Sequence, residues 1–163
     1  MSTLYVDNLQ PNLGSGVSIP GHVVQVVQSE SSTETLTTST SYVDTNLFAT
    51  ITPKSASSKI LVNISAAFFI ESTTTTLFEL QSNITRNGAS IKNFNRQIIL
   101  RAAASGGFLG IGSHNTLIYL DSPASTSELT YRLQVASNTT DANARINKDN
   151  IAMSTITLME IAQ

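Results

Sequence analysis

The chain has no cysteine and no tryptophan, and only 12% of its residues are charged, about half the usual share. Without cysteine there can be no disulfide and no thiolate metal site. The nine Lys and Arg residues are scattered, with no stripe or cluster. Wrapping a phosphate backbone needs concentrated positive charge, so no nucleic-acid partner is expected. No apolar run approaches the ~20 residues that span a bilayer, so no membrane partner is expected either. The N-terminus, MSTLYVDNLQ, lacks the basic segment and apolar core of a secretory signal. The expectation is a chain made in a cytosol that stays soluble or leaves it inside a larger assembly.

Hydroxyl side chains fill the space left by charge: Ser and Thr make up about a quarter of the 163 residues. The net charge is only −2, and β-branched apolar residues are plentiful, so this is not the composition of a disordered chain. It is that of a β-protein whose exposed faces carry Thr, Ser and Asn. The length suits one domain, preceded by a short arm.

Residues 1–21 form that arm. Pro11, Gly14 and Gly16 separate two short β-like pieces and Pro20-Gly21 ends the arm, a pattern that disfavours helix. The body, 22–163, alternates. In KILVNISAAFFI, Ile60, Val62, Ile64, Ala66 and Phe68 share one face, the period-two signature of a strand. Leu47, Ala49 and Ile51 do the same, as do Phe78, Leu80 and Ile84, and then Leu129, Tyr131, Leu133 and Val135. Asn87-Gly88 is the strongest short hairpin signal, because both residues accept positive φ. RQIILRAAA is compatible with a turn or two of helix or with a strand. The C-terminal IAMSTITLMEIA is apolar on both faces, Ile156 and Leu158 against Met159 and Ile161. Such a strand is central or lies at a subunit interface. Eight to ten strands joined by Ser/Gly/Asn turns predict an all-β antiparallel sandwich or jelly roll.

Residue chemistry names no reaction. Asp121-Ser122 with His114 is not a triad, because adjacent Asp and Ser cannot both serve one imidazole, and no G-x-S-x-G elbow is present. Asp121-Ser122-Pro123 reads as a turn, with the Asp side chain bonding nearby backbone N–H groups. His22 reads as a residue at the junction of arm and body, and His114 as a loop or strand-start residue. Asp141, Asp149, Asn138, Asn143, Asn147 and Asn150 gather oxygen ligands, but without the spacing of a calcium loop. SGGFLGIG has no lysine for phosphates and reads as flexible backbone. Glu71, Glu79, Glu128 and Glu160 could supply the carboxylate pair of a glycosidase, but spacing does not say which of them meet. The expectation is no enzyme, no cofactor and no metal.

TPKSASSKILVNISAAF, ITRNGASI, YLDSPASTSELTYRLQV and STITLMEIA follow one another in this order. Together they resemble a domain of tailed-bacteriophage virion proteins of the marine and cyanophage type. STLYVDNLQPNLGSGVSIPGHVVQVV resembles the segment preceding it in their fibre-like proteins, whereas ARINKDN matches only loosely. The resemblance implies a jelly roll similar to the tumour-necrosis-factor-like trimers, used as fibre tips and capsid knobs. It implies a homotrimer located in the virion, partnered by the major capsid protein or tail components. Leu4, Val6, Leu9, Val17 and Ile19 are then the attachment arm, and Ile156, Leu158, Met159 and Ile161 the trimer interface. A capsid decoration or cement protein is the leading expectation. A short tail-fibre or receptor-binding tip for host surface glycan is the alternative, and a depolymerase the third reading.

Overall fold

The computed structural model describes residues 19–73, 77–101 and 107–163. It is all-β. The ten strands among the described residues are β1 Val23–Ser31, β2 Thr35–Thr37, β3 Val43–Ile51, β4 Lys59–Ser72, β5 Leu77–Arg86, β6 Ala89–Arg101, β7 Leu109–Asp121, β8 Leu129–Ser137, β9 Asn143–Ile146 and β10 Ser154–Ile161. One 3₁₀ turn, Lys148–Asn150, precedes β10.

The strands form two antiparallel sheets. In the first, β1, β10, β4 and β7 lie side by side, and β9 and β2 extend it alongside the upper half of β4. In the second the order is β3-β8-β5-β6. Apart from the β5–β6 hairpin, successive long strands cross from one sheet to the other, which is the jelly-roll path. The β3–β4 turn, the hairpin and the β7–β8 loop mark the lower end; β2 and β9 mark the upper.

The expected alternations explain the core. Ile60, Val62, Ile64, Ala66, Phe68 and Ile70 all point inward from β4 and are buried. They meet Leu47, Ala49 and Ile51 from β3, Phe78, Leu80 and Ile84 from β5, and Tyr131, Leu133 and Val135 from β8. Each side chain of this size contributes about 1.5–3 kcal/mol on burial. β3 carries a register shift between Asp44 and Phe48. Buried Thr45 repairs the ladder there, donating from its hydroxyl to the Leu133 carbonyl at 2.7 Å.

Asn87 and Gly88 have φ of +50° and +81°, as the two-residue hairpin requires. RQIILRAAA resolves in part: residues 96–101 complete β6 as strand, and 102–104 lie outside the described residues.

Several readings change. Asp121 is not a turn residue bonding backbone N–H groups. It ends β7, is buried, and accepts hydrogen bonds from Arg86 Nη1 at 2.6 Å and Tyr131 Oη at 2.7 Å. This trio ties the lower ends of β7, β5 and β8 together across the two sheets. His114 lies within β7 rather than at its start. Gly110 and Gly112 are not flexible backbone. They are strand residues facing Phe69, and a Cβ on Gly110 would stand 2.8 Å from Phe69 Cζ. The glycines leave the ring somewhere to lie.

Candidate interaction surface

The residues singled out in the sequence separate in space. Leu4, Val6, Leu9 and Val17 lie outside the described residues. Ile19 is exposed, at the turn Ile19–His22 that leads into β1. That turn is pinned to the C-terminus: Gly21 N–H donates to the Ala162 carbonyl at 2.8 Å, and Ala162 N–H to the His22 carbonyl at 2.9 Å. β10 sits between β1 and β4. Its alternation sends Ile156 and Leu158 into the core with no exposed surface. The four-residue interface therefore narrows, because only Met159 and Ile161 face outward.

The pairing register shows what stands beside them. Val26 pairs with Met159, Met159 with Leu61, and Leu61 with Leu120, so one apolar row crosses β1, β10, β4 and β7 on the outer face. Val26 is 56% exposed and Leu120 47%. The next row up is Gln28, Thr157, Asn63 and Ile118. Neither row carries a charge. Single exposed apolar side chains are ordinary, whereas here a contiguous apolar row has Val24, Ile161 and Ile118 beside it.

The outer face of the second sheet is built differently. Gln134 Nε2 donates to Asp44 Oδ1 at 2.7 Å, Asn83 Nδ2 to Gln134 Oε1 at 2.8 Å, and Ser90 Oγ to Asn83 Oδ1 at 2.8 Å. This polar row crosses β3, β8, β5 and β6. Arg132 lies 4.7 Å over the Phe48 ring, and Arg96 pairs with Glu79 at 3.2 Å.

Among the described residues, the structure does not bring Ser122, His114 and Asp121 together as a triad. Ser122 is exposed beyond the end of β7, whereas His114 lies eight residues earlier, within that strand, and faces Ser65 Oγ at 2.8 Å from Nε2. Ser65–His114 is a pair that sequence reasoning missed, since 49 residues separate them. No carboxylate among the described residues orients the imidazole. Ser65 stands mid-ladder, where backbone N–H groups bond neighbouring strands and cannot form an oxyanion hole. The four glutamates sit on β4, β5, the β7–β8 loop and β10. Glu71 binds Arg145, which also binds Glu34. Buried Glu160 accepts from Gln25 Nε2 at 2.6 Å and Lys54 N–H at 2.8 Å.

Three amides of the oxygen-rich loop region, Asn138, Asn147 and Asn150, bond backbone groups. Asn138 Oδ1 accepts from Glu79 N–H at 2.6 Å, and Asn147 Nδ2 donates to the Ser31 carbonyl at 2.8 Å. No group of three His, Asp or Glu among the described residues is placed to hold a metal ion.

Tyr131, Arg86 and Glu160 are among the groups whose proton affinity is shifted. Burial raises the Tyr131 pKa, and the bond to Asp121 raises it further. Burial alone would lower the Arg86 pKa, but Asp121 outweighs it and the value rises. Burial would likewise raise the Glu160 pKa, yet hydrogen bonds from Gln25, Ser58 and the Lys54 and Ser55 backbones hold it below the usual carboxylate range.

No protein-family model matches the chain, and no curated protein matches it. Among solved structures it is similar to chains of infectious bursal disease virus. One is from the Gx strain, at 10% identity and a TM-score of 0.38 over 98% of this chain and 42% of that one. Another is the VP2 subviral particle, at 11% identity and a TM-score of 0.37 over the same shares. The chain thus spans about two fifths of the length of those it matches.

Proposed function

We propose that this chain is a structural protein of a virion, a homotrimeric jelly-roll knob of tailed-phage type that decorates the capsid and is held there by residues 1–21. The observation that carries the reading is the uncharged row Val26–Met159–Leu61–Leu120 on an outer sheet face. A second copy covers this row in the trimer. The contact is heterologous, meaning that different parts of the face meet around a threefold axis, and it closes into a ring. The sequence resemblance to phage virion domains supports the setting. The low-charge Ser/Thr/Asn surface suits a protein exposed to varying salt, where charge pairs are screened.

The arm joins the body at the lower end, beside the C-terminus. Apolar arm residues such as Leu4, Val6 and Leu9 supply the attachment, buried against other virion subunits. Deleting residues 1–21 tests this. The truncated chain should remain a folded trimer and lose binding to particles in co-sedimentation. Retained particle binding would remove the arm from the account.

A further inference from the structure

The upper half of the same outer face holds an open pocket of about 350 Å³ that the apolar row does not use. Its floor is Ala67 and Gly112, and Phe69 stands on one side. Space exists there because β7 has glycines opposite Phe69: a Cβ on Gly112 would come within 3.0 Å of the ring. The facing wall is the Ile151–Ala152 corner before β10.

That corner is preformed. Asn147, Asp149 and Asn150 take left-handed φ of 54°, 59° and 56°, a conformation Asn and Asp tolerate best among residues with a side chain. Asn147 is buried and accepts from Ser154 Oγ at 2.6 Å while donating to the Ser31 carbonyl. The corner therefore presents Lys148 and Ile151 in fixed positions. Lys148 Nζ lies 4.9 Å over the Phe69 ring. Its ion-pair partner among the described residues is the neighbouring Asp149, whose side chain is 60% exposed, and such a pair holds an ammonium weakly.

The polar side chains of the lining are one lysine and one histidine, with no carboxylate and otherwise apolar groups, while the Ser113 hydroxyl is turned away and donates to Asn115 Oδ1 at 2.6 Å. A small, mostly apolar cavity with a few convergent polar groups is the usual form of a ligand site. Its polar groups fit a ligand with a negative charge, hydroxyls and an apolar flank. We infer that the pocket binds a carboxylate-bearing sugar, one hexuronate residue of an acidic polysaccharide. Lys148 pairs with the carboxylate, His114 bonds a ring hydroxyl, and Ile151 and Ala152 cover the C–H face. The inference rests on the virion reading only for the source of the sugar, a host-surface polysaccharide.

The test is an amide chemical-shift titration of the full chain with glucuronate, glucose and acetate. Glucuronate should shift Gly112, His114 and Ile151 saturably, and each of the others should bind about tenfold or more weakly, a difference of 1.4 kcal/mol or more. Lys148→Gln, at a half-exposed position, should leave the remaining spectrum unchanged and weaken glucuronate by a similar factor. The inference is overturned if no saturable shift occurs at the pocket, if glucose or acetate matches glucuronate, or if Lys148→Gln binds as well as the parent. Mass in solution and particle binding, measured on the same sample, report the virion reading separately.

Discussion

The two outer faces of the sandwich solve one problem in opposite ways. Each is crossed by a row of four side chains, one from every long strand. On one sheet the row is Val26, Met159, Leu61 and Leu120; on the other it is Asp44, Gln134, Asn83 and Ser90. The polar row closes its hydrogen bonds side chain to side chain, so it is complete as it stands and gains little from a partner. The apolar row has no such internal satisfaction. It gains about 25 cal/mol for each Å² withdrawn from water, which only another surface can supply. One strand pattern thus yields a finished face and an unfinished one.

Breaking the unfinished face should have the largest effect. Leu120→Lys or Met159→Lys places a charge in the proposed contact, where it would be buried without a partner. Sedimentation velocity should show the trimer lost while circular dichroism stays that of a folded β-protein. Next come changes between the sheets. Asp121→Ala strands Arg86 and the Tyr131 hydroxyl, and removing one partner of such a buried pair costs about 3 kcal/mol. Chemical denaturation should report this without a change in mass. Glu160 gives a pH signature. Its folded pKa is depressed, so its contribution is present above the unfolded carboxylate value and fades as pH falls through the folded one. Glu160→Gln should be less stable than the parent at pH 7 by about 1–2 kcal/mol and lose less on acidification. The smallest effect belongs to the finished face. Asn83→Ala or Gln134→Ala should cost about 1 kcal/mol and leave the mass untouched. Dissociation of the trimer by either would mean that the two faces have been assigned the wrong way round.

The core was legible because period-two patterning is local. Ile60 through Phe68, and Leu129 through Val135, announce their inner face without reference to any other strand. The contact row was half legible. Met159 and Ile161 stood out because β10 is apolar on both sides, and the same signal lies in β7, where Ile118 and Leu120 alternate with Leu117 and Tyr119. What the sequence does not display is which strands lie side by side. The jelly-roll path brings Val26, Leu61 and Leu120 together across long separations, and that path is a property of the whole chain. The same limit hid Ser65 beside His114, and Arg86 with Tyr131 around Asp121. Asp-Ser-Pro is a sound local turn signal, but a strand end held by a distant arginine overrode it.

The central claim is that the uncharged row Val26–Met159–Leu61–Leu120 is a subunit contact, and the most direct measurement of it is mass by sedimentation equilibrium at micromolar concentration. The account predicts three times the chain mass of 17.4 kDa, reduced to one chain by Leu120→Lys. A parent protein that sediments as a single chain would contradict it.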